Sequence, residues 1–302
     1  MVSKQASVVH KKKKRLGVIL IAYVFVFPAL IFNLVFDWLP MLQGIVMSFF
    51  RWDGFRSPEF VGMRNFKEIL TDDIFWVSVK NMMFFFVMGL ILMIPTMIAS
   101  VVLFRIRNKK YQYVYRILFC IPMVVPFMVS LLMWQFIYNP QYGFLNQFME
   151  LLGMGQFKQT WLGDPSLARW CIVFMGFPFI STNAALIYLG GLQSIDESIW
   201  EAAQLDGITP IKKLMYLELP LIKGQFKLNL IGTLVGGITG YTTQMVLTKG
   251  GPGFETLVPG LYMYNKAFGA KQYGYASAVG LLLFIISGII SLITLKYLRG
   301  EE

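Results

Sequence analysis

The sequence predicts an all-α, polytopic membrane protein of six transmembrane helices with both termini in the cytoplasm, on three observations. First, the 302 residues are 56% hydrophobic and only 14% charged, whereas soluble domains carry about a quarter charged residues. Second, six windows long enough to span a bilayer, 17–36, 82–103, 117–137, 170–192, 228–248 and 275–295, contain no Asp, Glu, Lys or Arg. An ionisable group at the bilayer centre costs roughly 2.5–3.5 kcal/mol even on insertion scales, so this exclusion marks spans rather than soluble core helices. Third, the basic residues cluster: Lys11, Lys12, Lys13, Lys14 and Arg15 precede the first window, and Arg105, Arg107, Lys109, Lys110 and Arg116 follow the second. Positive-inside bias therefore puts the N-terminus, the loop after the second span and the C-terminus in the cytoplasm. The net charge of +11 is thereby assigned to a membrane face with its lipid, and nucleic acid is not expected as a partner.

On this basis residues 1–16 form a basic cytoplasmic N-terminus, 17–297 the six-helix domain, and 298–302 a cytoplasmic tail. The charged start and apolar stretch resemble a secretory signal. The stretch is longer than a signal core, however, and leads into Asp37, Trp38 and Pro40 with no small-residue cleavage site, so an uncleaved helix is predicted. Pro28 can kink that helix. An amphipathic stretch, 37–50, and an outer loop to about Asn81 should follow; Arg51, Trp52, Asp53, Gly54, Phe60, Asn65 and Phe66 suit an interfacial elbow. Pro122 and Pro126 predict a bent third helix. In 138–169, Gly143, Asn146 and Trp161-Leu162-Gly163-Asp164-Pro165 read as loop and turn. The two cysteines, Cys120 and Cys171, fall inside windows and are packing residues rather than a disulfide.

The loop 193–227, between the fourth and fifth windows, carries the most specific pattern. Ser194 and Glu197 fit a capping box that starts a short helix. Gly207 is placed to end it in the left-handed conformation. Thr209 offers a second cap, with Pro210 at the first helical position, Ile211, Leu214 and Met215 at helical spacing, and a stop at Pro220. Two short amphipathic helices around a glycine hinge imply docking on another molecule. A helix-turn-helix is the rival pattern, but this loop mixes acidic and basic residues and is tethered at the bilayer.

Here the chain resembles the permease subunits of binding-protein-dependent ABC importers. Their signature, Glu-Ala-Ala, three residues, Gly, nine residues, Ile-x-Leu-Pro, stands as Glu201-Ala202-Ala203, Gly207 and Leu217-Glu218-Leu219-Pro220, with Leu for Ile, and Asp206 also matches. Tyr188-Leu189-Gly190-Gly191-Leu192-Gln193, Leu247-Thr248-Lys249-Gly250-Gly251-Pro252, Tyr262, Tyr264, Ala267-Phe268 and Gly274-Tyr275-Ala276 are similar to the sugar branch, like a short form of the larger maltose-type permease. The resemblance covers essentially the whole chain. It implies a type I importer transmembrane domain in which 193–227 is the coupling loop, with Glu201, Ala202, Ala203, Asp206, Gly207, Leu217 and Pro220 as the ATPase-coupling positions. It also implies a homologous second permease, two cytoplasmic ATP-binding subunits that hold ATP and Mg, and an extracellular solute-binding protein that docks on outer loops including 250–259. The chain contains no Gly-x4-Gly-Lys-Ser/Thr pattern, so no ATPase site or cofactor of its own is expected.

A proton-coupled carrier generally needs intramembrane carboxylates or histidines, and the six windows have neither; the sole histidine is His10. Sodium-coupled or facilitated transport, and import of a solute other than sugar, stay open as alternatives. No paired carboxylates, metal-ligand cluster or nucleophile-base set falls within a window, which argues against a membrane enzyme. For a neutral sugar, polar and aromatic groups near the midplane are required. The uncharged polar residues concentrate in the fourth window (Ser181, Thr182, Asn183) and the fifth (Asn229, Thr233, Thr239, Thr242, Thr243, Gln244). The maltose-type resemblance carries contact positions onto Phe179, Ile180, Asn183, Thr233, Gly236, Gly237 and Gly240. Only Asn183 and Thr233 are polar there, so that contact set is not preserved. Thr182, Tyr241 and Gln244 complete the expected solute pathway. The glycines fit either a roomier cavity or close helix packing.

Overall fold

The computed structural model describes residues 23–298. The basic run 11–15, the start of the first window and most of the C-terminal tail lie outside the described residues.

The first helix, α1 (Tyr23–Met47), does not stop at residue 36. It widens into a π turn at Leu34–Trp38, where the Leu39 amide donates to Leu34 O, and then continues through the stretch expected to be separate. The cause lies at Pro40. A proline has no N–H for the carbonyl four residues back, and its ring crowds that carbonyl; a π turn immediately upstream opens the space. Leu214–Glu218, followed by Pro220, repeats the device, with the Leu219 amide on Leu214 O. The helical path therefore runs through Pro220 instead of stopping there.

A two-stranded ribbon, β1 (Phe50–Arg51) against β2 (Glu59–Phe60), and α2 (Arg64–Thr71) form the elbow. The next helix, α3 (Asp73–Phe104), starts nine residues before its window, because Asp72 caps it by accepting from the Ile74 and Phe75 amides. Lys80 kept those residues out of an apolar window but does not oppose a helix. The third window is α4 (Lys109–Val124) and α5 (Phe127–Ile137), bent by 86°. Val125 is extended, as the residue before Pro126 must be; Pro122 sits inside α4 without breaking it. After α6 (Phe144–Leu151), the fourth window is interrupted between α7 (Ala168–Phe174) and α8 (Thr182–Gln193). The loop helices α9 (Glu197–Leu205) and α10 (Pro210–Lys213) follow. The fifth window breaks at Gly240 between α11 (Lys223–Thr239) and α12 (Thr242–Leu247), and α13 (Pro259–Tyr264) and α14 (Tyr273–Leu298) complete the chain. Among the described residues α1, α3 and α14 are each long and apolar enough to cross a membrane, with the bent α4–α5 pair a fourth candidate.

Helix α3 packs against both α8 and α11, while α14 packs against α1 and α11. Two apolar cores result. One joins Phe66, Ile69, Phe75, Met82, Leu261, Tyr262 and Val279; the other, at the end carrying the 193–227 loop, joins Val101, Tyr188, Leu192 and Ile222. Two close fits tie the elbow to the bundle. Buried Asn65 donates to Ser48 O (2.8 Å) and Phe50 O (3.0 Å). At Gly274 a Cβ would lie 2.0 Å from Phe50 O, so only glycine admits this approach of backbone to backbone.

Candidate functional site

The coupling-loop positions lie on a hinged helix pair. Helix α9 is capped by Asp196, whose Oδ1 accepts from the Ser198 amide (2.9 Å), and not by Ser194. The Ser194 hydroxyl instead donates to Gly191 O at the end of α8 (2.8 Å). Asp196 is an equally good cap and lies next to the helix, so the expected capping box with Glu197 does not form. Hydrogen bonds from Ser198 hold the Asp196 carboxyl below its usual value. At the other end Gly207 adopts φ +62. Its amide donates to Gln204 O (3.1 Å) and the Ile208 amide to Ala203 O (3.3 Å). This pair of bonds is a Schellman motif, closed by a residue for which a left-handed backbone carries no Cβ penalty. Thr209 then caps α10, accepting from the Lys212 amide.

Glu201, Ala202, Asp206, Gly207 and Pro220 are exposed, Leu217 is half-buried, and Ala203 is buried. The Glu201 side chain makes no hydrogen bond or ion pair among the described residues, so it does not brace the pair internally. Beside these residues large apolar side chains are uncovered: Leu205 is 89% exposed, Ile211 76% and Tyr216 73%. Apolar groups so exposed, on a capped and hinged pair, mark a contact surface.

Charge chemistry not anticipated from the sequence fastens this pair to the bundle. Arg105, the residue that ends α3, grips fully buried Glu218 through Nε–Oε1 (2.9 Å) and Nη2–Oε2 (2.6 Å), and also donates to Pro210 O (2.8 Å). Glu218, through its hydrogen bonds first and then its charge, pushes the Arg105 guanidinium above its ordinary value. A lone acid within the otherwise apolar Leu217-to-Leu221 run was the available signal.

A cavity of about 650 Å³ opens midway along α3, between the two cores. Met93 and Thr96 of α3, Phe179, Ile180 and Asn183 at the break, and Tyr188, Asn229 and Thr233 line it. Local backbone and one hydroxyl shape the break. Phe179 sits at φ +63 after a cis Phe177–Pro178 peptide, and the Thr96 hydroxyl donates to Phe179 O (3.1 Å) while accepting the Ser181 amide (3.0 Å). The Asn183 side chain makes no hydrogen bond among the described residues. The Tyr188 hydroxyl and Asn229 Nδ2 lie beside one another, buried and outside hydrogen-bond geometry.

Of the expected pathway residues, the structure brings Phe179, Ile180, Asn183 and Thr233 to this cavity and the others elsewhere. Thr182 donates to Phe119 O of α4 (2.6 Å) and so is spent on helix packing. Thr233 lines the wall, but its hydroxyl bonds its own helix at Asn229 O (2.9 Å). Gly237 lets α11 approach Phe86 of α3, which is the close-packing alternative, while Gly236 faces open space. Gly240 ends α11, Tyr241 packs on Tyr264, and Gln244 is buried in α12. Among the described residues no group of three or more His, Cys, Asp or Glu is arranged to hold a metal ion.

At the opposite end, the segment after α12 is tightly braced. Thr248 and Thr256 hydroxyls meet at 2.6 Å, Asn81 donates to Phe254 O and Leu257 O, and Arg169 pairs with Glu255. Phe254 stays about half exposed on this frame. Nearby, Asp72 accepts from Tyr262 (2.7 Å) and Lys266 (3.3 Å), and Tyr262 meets Tyr275 at 2.8 Å. Burial opposes ionisation of Asp72, yet the Tyr262 and Ile74 hydrogen bonds and the Lys266 charge hold its carboxyl below the usual value. Burial, with the Tyr275 and Asp72 bonds, pushes the Tyr262 phenol up.

A helical bundle broken around a mid-helix cavity, with an exposed hinged loop at one end, defines a membrane permease. Comparison with known proteins names the family. Residues 93–299 match the family described as the binding-protein-dependent transport system inner membrane component. The probable ABC transporter permease protein YurN of Bacillus subtilis is 32% identical over 94% of this chain and 98% of its own length. The multiple sugar-binding transport system permease protein MsmF of Streptococcus mutans is 32% identical, covering 93% and 96% of the two chains. The trehalose/maltose transport system permease protein MalF of Thermococcus litoralis is 30% identical, over 91% and 92%. Among solved structures, a chain of a bacterial ABC transporter involved in the import of the acidic polysaccharide alginate shares the fold, with a TM-score of 0.82 at 20% identity over 96% of this chain and 98% of that one. The chain belongs to the family of binding-protein-dependent transport system inner membrane components.

Proposed function

We propose that this chain is the permease subunit of an ATP-driven importer that carries a sugar or oligosaccharide across the cytoplasmic membrane of a prokaryote. The observation that carries the proposal is the Schellman-hinged pair α9 and α10, which holds Leu205, Ile211 and Tyr216 uncovered beside the Glu201-to-Gly207 signature. These side chains seat in a cleft of a cytoplasmic ATPase subunit, which binds the ATP and Mg. Glu201, Ala202, Asp206 and Gly207 line the contact.

The sugar assignment draws on relatives whose names specify multiple sugars and trehalose or maltose, and on the cavity chemistry. Asn183 offers an amide and Phe179 an aromatic face, a combination suited to a neutral saccharide, with Asn229 and Tyr188 in the wall behind them. In this reading the chain crosses six times, so that both termini share one side, the cytoplasmic one by the positive-inside bias: α1, α3 and α14 cross as long helices, α4–α5 as a bent one, and α7–α8 and α11–α12 as broken ones. A homologous second permease completes the pathway, and the braced 248–258 segment, with Phe254 at its tip, receives the extracellular binding protein.

The test is reconstitution of the complex in liposomes. Uptake of the saccharide retained by the cognate binding protein should require internal ATP and should be lost when Gly207 is replaced by a bulky charged residue. Uptake without nucleotide would refute the importer assignment, and a binding protein that retained peptides or metal ions would refute the sugar.

A further inference from the structure

We propose that Arg105 and Glu218 form a latch that makes the 193–227 loop and α3 one moving body, so that displacement of the coupling helices reaches the mid-membrane cavity through α3. This inference rests on the importer function proposed above. The loop is covalently continuous with α8 and α11 but not with α3, so only non-covalent contacts can recruit α3 to its motion.

Those contacts are concentrated on the last two residues of that helix and its cap. The Arg105 guanidinium holds both ends of the second loop segment at once, Pro210 O at its start and the Glu218 carboxylate at its end. Phe104 packs on Trp200 of α9 at 5.5 Å between ring centroids, and the Lys213 ammonium of α10 lies 4.7 Å over the same indole. Gln112 donates to Leu103 O and Phe104 O, closing the end of α3 from the far side. Both loop helices are thus bound to one helix terminus. Arg105 is 31% exposed but Glu218 is 0% exposed, so water reaches only the cation, and pulling the acid from Arg105 would leave a buried charge uncompensated. Such a contact moves as a unit rather than yielding.

The other end of the lever is at the cavity. Thr96 lies nine residues before Arg105, about 14 Å along the helix at 1.5 Å per residue. It spans the break in the fourth window by its two hydrogen bonds, and with Met93 it lines the cavity wall. A shift of α3 therefore acts directly on the segment that presents Phe179, Ile180 and Asn183.

The test uses the full complex of permease, partner permease and ATPase subunits, with Cys120 and Cys171 replaced by alanine and spin labels at Val102→Cys on α3 and Ser198→Cys on α9. Both positions are exposed. The distance between them is measured without nucleotide and after trapping with MgATP and vanadate. A latch predicts one narrow distance, the same in both states to within about 2 Å, well under the 5.4 Å of a helical turn. Glu218→Gln should broaden or shift it by about a turn in the trapped state while MgATP hydrolysis continues. A wild-type distance that shifts by a turn between states would overturn the latch, whatever the variant does. So would a Glu218→Gln complex that keeps the wild-type distances. A wild-type complex unable to hydrolyse MgATP would overturn the importer function and the latch with it, whereas a hydrolysing complex with a moving distance overturns the latch alone.

Discussion

Replacing Thr96 with valine removes one hydroxyl and nothing else, since the two side chains have nearly the same volume and Thr96 is only 2% exposed. That hydroxyl makes two bonds, to Phe179 O at 3.1 Å and from the Ser181 amide at 3.0 Å. Side-chain hydrogen bonds within membrane proteins average about 0.6 kcal/mol with a maximum near 1.7, so the two together amount to about 1–3 kcal/mol. The effect falls on a segment that already carries a non-glycine residue at φ +63, a conformation that costs roughly 1–2 kcal/mol and persists only where its surroundings enforce it. Thr96→Val should therefore lower stability in an SDS denaturation titration by about 1–3 kcal/mol. Hydrogen exchange of the Ser181 amide should accelerate by roughly 5- to 150-fold if the opening is local, with distant amides of α14 unchanged. A loss under about 0.5 kcal/mol with Ser181 still protected would refute the argument. It would assign the break instead to the contacts among Phe174, Phe177 and Phe179.

Three further outcomes follow from the geometry. A Cβ added at Gly207 would meet no atom within 4 Å, so Gly207→Ala should cost only the backbone penalty, about 1 kcal/mol, and Gly207→Asn less; a larger loss of MgATP-driven uptake than of thermal stability would report contact with the ATPase. Tyr262→Phe strips the donor from Asp72 and the partner from Tyr275, and should destabilise by about 1–3 kcal/mol in thermal denaturation. Because the folded Asp72 carboxyl titrates below its unfolded value of about 3.9, its contribution is complete above that pH and is lost as pH falls through the lower folded value, so the gap between wild type and variant should close in acid. Gly274→Ala sets a Cβ 2.0 Å from a backbone carbonyl that cannot rotate away, and should cost at least about 1–3 kcal/mol, read as a lowered Tm.

The long helices and the loop hinge were legible in the sequence because each depends on local chemistry. Exclusion of charge located α1, α3 and α14, although α1 runs on past its window to Met47 and α3 begins nine residues before its own, and Gly207, Thr209 and Pro210 are placed by backbone rules acting over a single turn. The bend of the third span was likewise readable at Pro126. The cap of α9 was not, because Ser194 and Asp196 are both adequate cap residues two positions apart and local pattern does not rank one above the other. The substrate pathway was the least legible part. Thr182, Asn183 and Thr233 are equivalent as polar residues in apolar windows, and only the opposing helix decides that the first bonds Phe119 O while the second is left facing the cavity.

The sequence by itself determined the membrane class, the long apolar helices, the Glu201-to-Pro220 signature and its hinge, because hydropathy, capping and glycine backbone freedom are properties of a residue and its near neighbours. Tertiary structure decided where the fourth and fifth windows break, which glycine packs and which faces open space, and that Arg105 reaches Glu218 across 113 residues of chain. Those outcomes depend on groups that come into contact only when α3, α8 and α11 pack together. A buried carbonyl, amide or carboxylate must then be satisfied by whichever neighbour the fold supplies.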